Sequence, residues 1–300
     1  MRVIVTGGAG FIGAHIVEAL RARRYKVVVV DDLRAGRKYQ PPSGVSFYEE
    51  DIGSERLDGI FNEVQPDYVI HLAAQTKVDH SVEEPLADAM VNVLGTLNVL
   101  ECCRKHRVKK IVFASTAAVY GNPEVLPVTE EHPIRPRSPY AVSKYAAELH
   151  LNVFKELYGL DYTILRYSNV YGPAQGSRSE DVISAMIRLI RAQQPVRIYG
   201  DGSQTRDFVY VSDVAEANVL ALQAGSGEVI NISSGTQTTV KALCELIGKL
   251  CSVQPVIEHV PARTGDIQHS LLANDKARKL LGWRPKISLI DGLKRALKHA

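Results

Sequence analysis

The chain has 300 residues, with 36 Lys and Arg against 33 Asp and Glu, a net charge of only +3. Scattered charge of that size calls for neither nucleic acid nor a membrane surface, and the length implies one large or two intimate domains with a sizeable core. Four cysteines, including the adjacent pair Cys102-Cys103, show no metal spacing and suit reduced, buried thiols. Met1 leads straight into the first apolar run, and no apolar run looks long enough to span a bilayer, so the expectation is a soluble cytoplasmic enzyme without a signal peptide or a metal.

Arg2–Val5 is a short β-branched run of the kind found in buried parallel strands. Gly7, Gly10 and Gly13 follow at three-residue spacing in TGGAGFIG, and Phe11 to Leu20 has helical periodicity. A strand feeding a helix through such a turn aims free N–H groups and the helix dipole at a pyrophosphate. Lys26–Val30 reads as a second strand ending in Asp31-Asp32, where a carboxylate accepts the adenosine ribose hydroxyls and repels a 2′-phosphate. That favours NAD over NADP, while Arg34, Arg37 and Lys38 nearby are either a competing phosphate site or solvated loop charges.

Further strands are predicted at Val45–Tyr48, Asp67–His71, Lys110–Ala114 and Tyr162–Arg166, with helices notably at Pro85–His106 and Pro139–Tyr158. The alternation predicts an α/β fold, a doubly wound parallel Rossmann sheet, and beyond Pro173 the pattern loosens into a smaller α+β lobe. The expected division is 1–168 for the dinucleotide domain and 169–300 for the substrate lobe, with a segment near 205–225 returning to the first. Ligands bind outside the carboxyl ends of such strands. The candidate cofactor positions are therefore Gly7, Gly10, Phe11, Ile12, Gly13, Asp31, Asp32, Asp51, Ile52, Leu72, Ala73, Ala74, Ser115 and Tyr167.

Tyr140 and Lys144 carry the predicted chemistry. Pro139 suits a helix start, and residues four apart share one helix face, so phenol and ammonium can point into one cleft. A free tyrosine titrates near ~10, too high for a base at neutral pH, and a neighbouring Lys⁺ together with a cationic nicotinamide is expected to lower that value. Thr116, just after the fifth strand, has a hydroxyl placed to bridge a substrate hydroxyl and the phenol. Ser115 and Thr116 are equally able to bond their own backbone.

With these residues in place, the chain closely resembles the extended short-chain dehydrogenase/reductase family, and within it the nucleotide-sugar epimerases. The resemblance runs over nearly all 300 residues, through HLAAQ at 71–75, STAAVYG at 115–121, YAVSK at 140–144, LRYSNVYGP at 165–173, IYGDGSQTRDFVYVSDV at 198–214, RTGD at 263–266 and LLGWRP at 280–285. It implies that Lys77 approaches the cofactor pyrophosphate, that Asn92 and Tyr167 lie on the nicotinamide side, and that Asn169 contacts the nucleotide diphosphate. It further implies that Tyr199 lies against uracil, that Arg206 and Arg263 clamp the diphosphate, and that Asp266 meets a ribose.

The implied activity is 4-epimerisation of a UDP-sugar, UDP-glucose with UDP-galactose. Tyr140 takes the 4′-hydroxyl proton while hydride passes to bound NAD, the keto sugar turns over, and hydride returns on the opposite face. Relatives that eliminate water or carbon dioxide carry acidic residues after the threonine, where this chain has Ala117 and Ala118. Ala118 also departs from epimerases with a hydroxyl there, and Asp32 replaces a frequent asparagine. The alternatives are a 4-keto-sugar reductase consuming NAD(P)H and a silent scaffold protein of the same fold. Resemblance also implies a homodimer through the helices at 85–106 and 139–158, for which Val91, Leu94, Val99, Leu149 and Phe154 serve equally well as interface or core. Finally, Ser270, four residues past Asp266, matches a position that flanks the sugar near its 2′ substituent. A small residue there implies room for N-acetylated sugars.

Overall fold

The computed structural model describes residues 1–34, 39–173, 182–261 and 267–298. The chain opens with β1 (Arg2–Thr6), α1 (Phe11–Ala22), β2 (Lys26–Asp31), β3 (Ser46–Glu49), α2 (Arg56–Val64) and β4 (Tyr68–His71). It continues through α3 (Val78–Glu83), α4 (Pro85–Ala89), a π turn (Met90–Gly95) and α5 (Thr96–Lys105). Next come β5 (Lys110–Thr116), a 3-10 turn (Ala117–Tyr120), α6 (Pro139–Tyr158), β6 (Asp161–Tyr167) and β7 (Asn169–Tyr171). The remainder holds α7 (Val182–Arg191), β8 (Val196–Tyr199), β9 (Thr205–Tyr210), α8 (Val211–Ala221) and β10 (Glu228–Ile232). It ends with β11 (Gln237–Thr239), α9 (Val240–Cys251), β12 (Ile257–Val260), α10 (Asp275–Leu281) and α11 (Leu289–Leu297).

Seven strands pair in parallel in the order β10-β6-β5-β4-β1-β2-β3. Side chains alternate across the sheet: Val3 and Val5 pack with α1 and α8, whereas Ile4 faces the layer of α2, α5 and α6. Strand order reverses between β1 and β4, so the crevice lies outside their carboxyl ends. The six predicted strands all form. The seventh, β10, comes from residues expected in the smaller lobe, because Asn231 interrupts its apolar run. Asn231 is nevertheless fully buried, accepting from Tyr120 Oη at 2.7 Å and donating to Val128 O at 3.1 Å. The expected return of the chain is α8, lying along α1, and it extends through β10.

The rest of the chain forms two small sheets, β11-β9-β7 and β12-β8, around a separate core with α7, α9 and α11. The helix expected over Pro85–His106 spans Pro85–Lys105 and carries the π turn within it. There the Thr96 hydroxyl donates to Asn92 O at 2.7 Å and enters the helical ladder. By length and composition alone Pro85–Lys105, whose most apolar 18-residue window has mean hydropathy 1.3, is long and apolar enough to cross a membrane, contrary to expectation. Its apolar content serves two faces. Val99 and Leu100 lie in the core, and Leu86, Met90 and Leu94 lie on an exposed face.

Candidate active site

Thr6 ends β1, and the chain turns at Gly7 with φ +69°. A Cβ on Gly7 would sit 2.6 Å from Ala73 N, and one on Gly13 only 2.2 Å from Gly7 O. Glycine is therefore what lets β1, α1 and the loop after β4 close together. Ala14 N bonds Gly10 O at 3.0 Å, so the N–H groups of Phe11, Ile12 and Gly13 form the open first turn of α1, and no side chain caps it. This cradle and dipole fit a dinucleotide pyrophosphate.

Asp31 ends β2, with Oδ2 accepting from Ala9 N and Oδ1 from Leu33 N, each at 3.0 Å. Arg34 is drawn into ion pairs with both Asp32 (3.1 Å) and Asp51. Arg34 is thus held by two carboxylates, while Arg37 and Lys38 lie outside the described residues. Asp51 Oδ1 also accepts from Gly53 N at 2.7 Å, and buried Ile52 seats against Gly95.

Across the crevice, Leu72 N donates to Thr6 O at 3.0 Å and Ala73 N to Thr6 Oγ1 at 3.4 Å; Ala74 beside them is half-buried. The Thr6 hydroxyl lies 2.6 Å from His71 Nδ1, and His71 Nε2 lies 3.0 Å from Thr96 Oγ1. Because Thr96 donates onward to Asn92 O, it accepts from His71, which fixes the proton on Nε2 and makes Nδ1 the acceptor. Burial, with Lys144 adding to it, holds His71 down at about 3, so this linkage between two strand ends and the π turn stays neutral. The Asn92 side chain is buried. Its Oδ1 accepts from Gln75 N (3.0 Å), and its amide N–H groups donate to Gln75 O and Asp88 Oδ1 (both 2.9 Å). Asn92 thereby braces the loop that leads to exposed Lys77.

Ser138 caps α6 by accepting from Ala141 N at 3.2 Å, Pro139 occupies the first turn, and Tyr140 and Lys144 share one face. Lys144 is 3% exposed, its ammonium 4.2 Å from the centroid of the Phe113 ring. Burial pulls it down to about 7, against the pull of Glu148 and Asp88. Tyr140 keeps part of its surface open, and its hydroxyl bonds Thr116. Burial pushes the phenol up to about 12, Thr116 opposes this, and Asp88 reinforces it. Desolvation is the largest of these effects. The two hydroxyls after β5 part company. Thr116 faces Tyr140 and accepts from Ala118 N at 3.1 Å, whereas Ser115 is buried and donates to the Glu148 carboxylate.

Tyr167 is 6% exposed, and its hydroxyl donates to Asn218 Oδ1 on α8 at 2.9 Å. On the lobe side Asn169 opens β7 exposed, and Tyr199 ends β8 at the surface. Arg206 donates to Thr205 O at 2.9 Å, and Ser270 N donates to the same oxygen at 3.2 Å, so both flank one stretch of β9. Arg263 and Asp266 lie outside the described residues. Asp88, Gln75 and Glu148 were not anticipated. The one signal was a lone carboxylate, Asp88, in an apolar helix, on a line with Asn92 and Thr96 at four-residue steps.

The NAD dependent epimerase/dehydratase family matches residues 3–233. A putative UDP-glucose 4-epimerase of Methanocaldococcus jannaschii is 45% identical, covering 98% of this chain and 97% of that one. The crystal structure of UDP-glucose 4-epimerase from Thermotoga maritima with UDP-glucose superposes with TM-score 0.95 at 43% identity, covering 100% and 98% of the two chains. That of the Thermus thermophilus UDP-glucose 4-epimerase with NAD gives 0.94 at 42% identity, covering 100% and 98%. The glycine cradle, the acidic end of β2 and the Tyr140–Lys144 face are carried by a chain that belongs to the NAD-dependent epimerase/dehydratase family, within the extended short-chain dehydrogenases/reductases.

Proposed function

We propose that the chain interconverts UDP-glucose and UDP-galactose as a UDP-sugar 4-epimerase. The observation that carries this reading is the Tyr140–Thr116 hydrogen bond beside buried Lys144, at the mouth of the crevice that the glycine cradle opens. Bound NAD supplies a reversible acceptor for the hydrogen and electron pair of sugar C4, so no net oxidation results. Tyr140 oxygen takes the 4-hydroxyl proton and returns it. Thr116, which already faces that oxygen, orients the sugar hydroxyl onto it. Lys144 favours the ionised phenol when protonated. Ala117 and Ala118 supply no acid or base for elimination. Asn169, Tyr199 and Arg206, on the lobe side, are the residues to hold the nucleotide while the sugar turns. Four free cysteines suit a reducing, cytoplasmic location.

Purified protein is expected to convert UDP-galactose to UDP-glucose with no added reductant. Stoichiometric NADH consumption instead would make it a reductase. With a serine at position 270 on the lobe side, UDP-N-acetylgalactosamine should turn over as well. Ser270→Tyr should remove that activity selectively, because the ring fills only the space of the acetamido group. Absence of N-acetyl turnover in the wild type, or equal loss of both activities in the variant, would reject Ser270 as the gate.

A homodimer is also proposed. Leu86 (75% exposed), Met90 and Leu94 on the α4–π stretch, and Leu149, Val153 and Leu157 on α6, are large apolar residues left open on helices that pack side by side. Val99 and Phe154, by contrast, are core, and Val91 packs against it. An exposed apolar face of this kind favours self-association. Sedimentation showing only monomer at micromolar concentration would end this reading.

A further inference from the structure

Asp88 has no part in the mechanism above, yet it is a fully buried carboxylate set against the catalytic helix. It lies on α4, which packs on α6. Its Oδ1 accepts from Gln75 Nε2 at 2.8 Å and from Asn92 Nδ2 at 2.9 Å. Its Oδ2 is buried with no hydrogen-bond partner among the described residues. A carboxylate in a dry place is costly unless a cation compensates it.

Lys144 is a cation within electrostatic reach of Asp88. The groups facing Lys144 are few: the Phe113 ring from β5, neutral His71 from β4, Glu148 one turn along its own helix, and Asp88 from α4. Glu148 is already paired with Arg166 through two hydrogen bonds. Asp88 is the carboxylate in this set that has no cation of its own hydrogen-bonded to it. Tyr140 faces Thr116 and the same Asp88.

We propose that Asp88 is a positioning residue of this active site: it holds the Gln75 and Asn92 amides along the crevice edge and, alongside Glu148, supplies counter-charge that keeps Lys144 an ammonium beside Tyr140. The inference rests on the reading of Tyr140 and Lys144 as the acid–base pair. Its sign is fixed by electrostatics. A nearby carboxylate favours the protonated form of both groups, so removing it makes both release their protons at lower pH. Turnover rises with pH as the phenol ionises and falls as the ammonium is lost. Both limbs of the pH profile should therefore move toward acid.

The test compares the wild type with Asp88→Asn, Asp88→Ser and Asp88→Glu, each with NAD bound. In the two neutral variants both limbs of kcat/KM against pH are expected to shift down by on the order of one pH unit. Asp88→Glu, which keeps the charge, should leave the limbs in place even if it is slower. A parallel ultraviolet titration, with the same protein carrying Tyr140→Phe subtracted, reads the Tyr140 phenol directly and needs no turnover. A uniform loss of rate with unmoved limbs and an unmoved phenol, or a Glu variant displaced as far as the neutral ones, overturns the proposal. Two neutral variants keep the test open should one fail to fold. A shifted phenol in a protein without epimerase activity would sink the functional reading and leave Asp88 in its role.

Discussion

Tyr140→Phe is expected to lower UDP-galactose turnover by a factor of about 10²–10⁴, the range that a positioned proton-transfer group contributes. The fold should survive. Tyr140 sits in the first turn of α6, behind the Ser138 cap, and its ring keeps part of its surface open. Removing the oxygen deletes one hydrogen bond, to Thr116, and so costs about 0.5–1.5 kcal/mol of stability. It also deletes the atom that accepts the sugar proton, for which neither Thr116 nor buried Ser115 substitutes, since a hydroxyl held by Glu148 faces the wrong way. Steady-state rates with UDP-galactose, alongside thermal unfolding, separate the two effects. A stable Phe variant that keeps most of its activity would remove Tyr140 from the mechanism.

Local chemistry made the dinucleotide half readable. Gly7 and Gly13 are spaced by the demand that a strand, a turn and a helix meet within contact distance, and that demand leaves a mark in any sequence that satisfies it. Asp31 and the Tyr140–Lys144 pair likewise depend on neighbours a few residues away. What stayed hidden was set by contacts between residues distant in sequence. Strand β10 reads poorly because Asn231 is made tolerable only by Tyr120 and Val128, more than a hundred positions earlier. The π turn at Met90–Gly95, beside the Thr96–Asn92 bond, sits inside a helix whose composition predicts none. The desolvation of Tyr140 was hidden for a related reason. Spacing places a lysine beside the phenol, but it does not report how dry the pocket is, and desolvation is the largest effect on it.

The second large effect concerns stability. Glu148 and Arg166 are each 4% exposed and joined by two hydrogen bonds, Nε to Oε1 at 3.0 Å and an Nη to Oε2 at 2.5 Å. Ser115 donates to the same carboxylate, and Arg166 donates to Tyr120 Oη at 2.9 Å. Glu148→Ala leaves a guanidinium buried without its anion, and so should destabilise the protein by about 3–5 kcal/mol. A double variant, Glu148→Leu with Arg166→Met, removes both charges and should regain most of that loss, because an apolar pair of similar volume needs no desolvated charge. Recovery stops short of complete, since the Ser115 hydroxyl loses its acceptor, at about 1–3 kcal/mol. Urea unfolding of the wild type and the two variants measures this, and a single variant as stable as the wild type would show that the pair contributes nothing. Activity should not return with stability. Glu148 is one of the two carboxylates that oppose the desolvation of Lys144, so its removal lets the lysine lose its proton at lower pH and withdraws the positive charge the phenol needs at neutral pH.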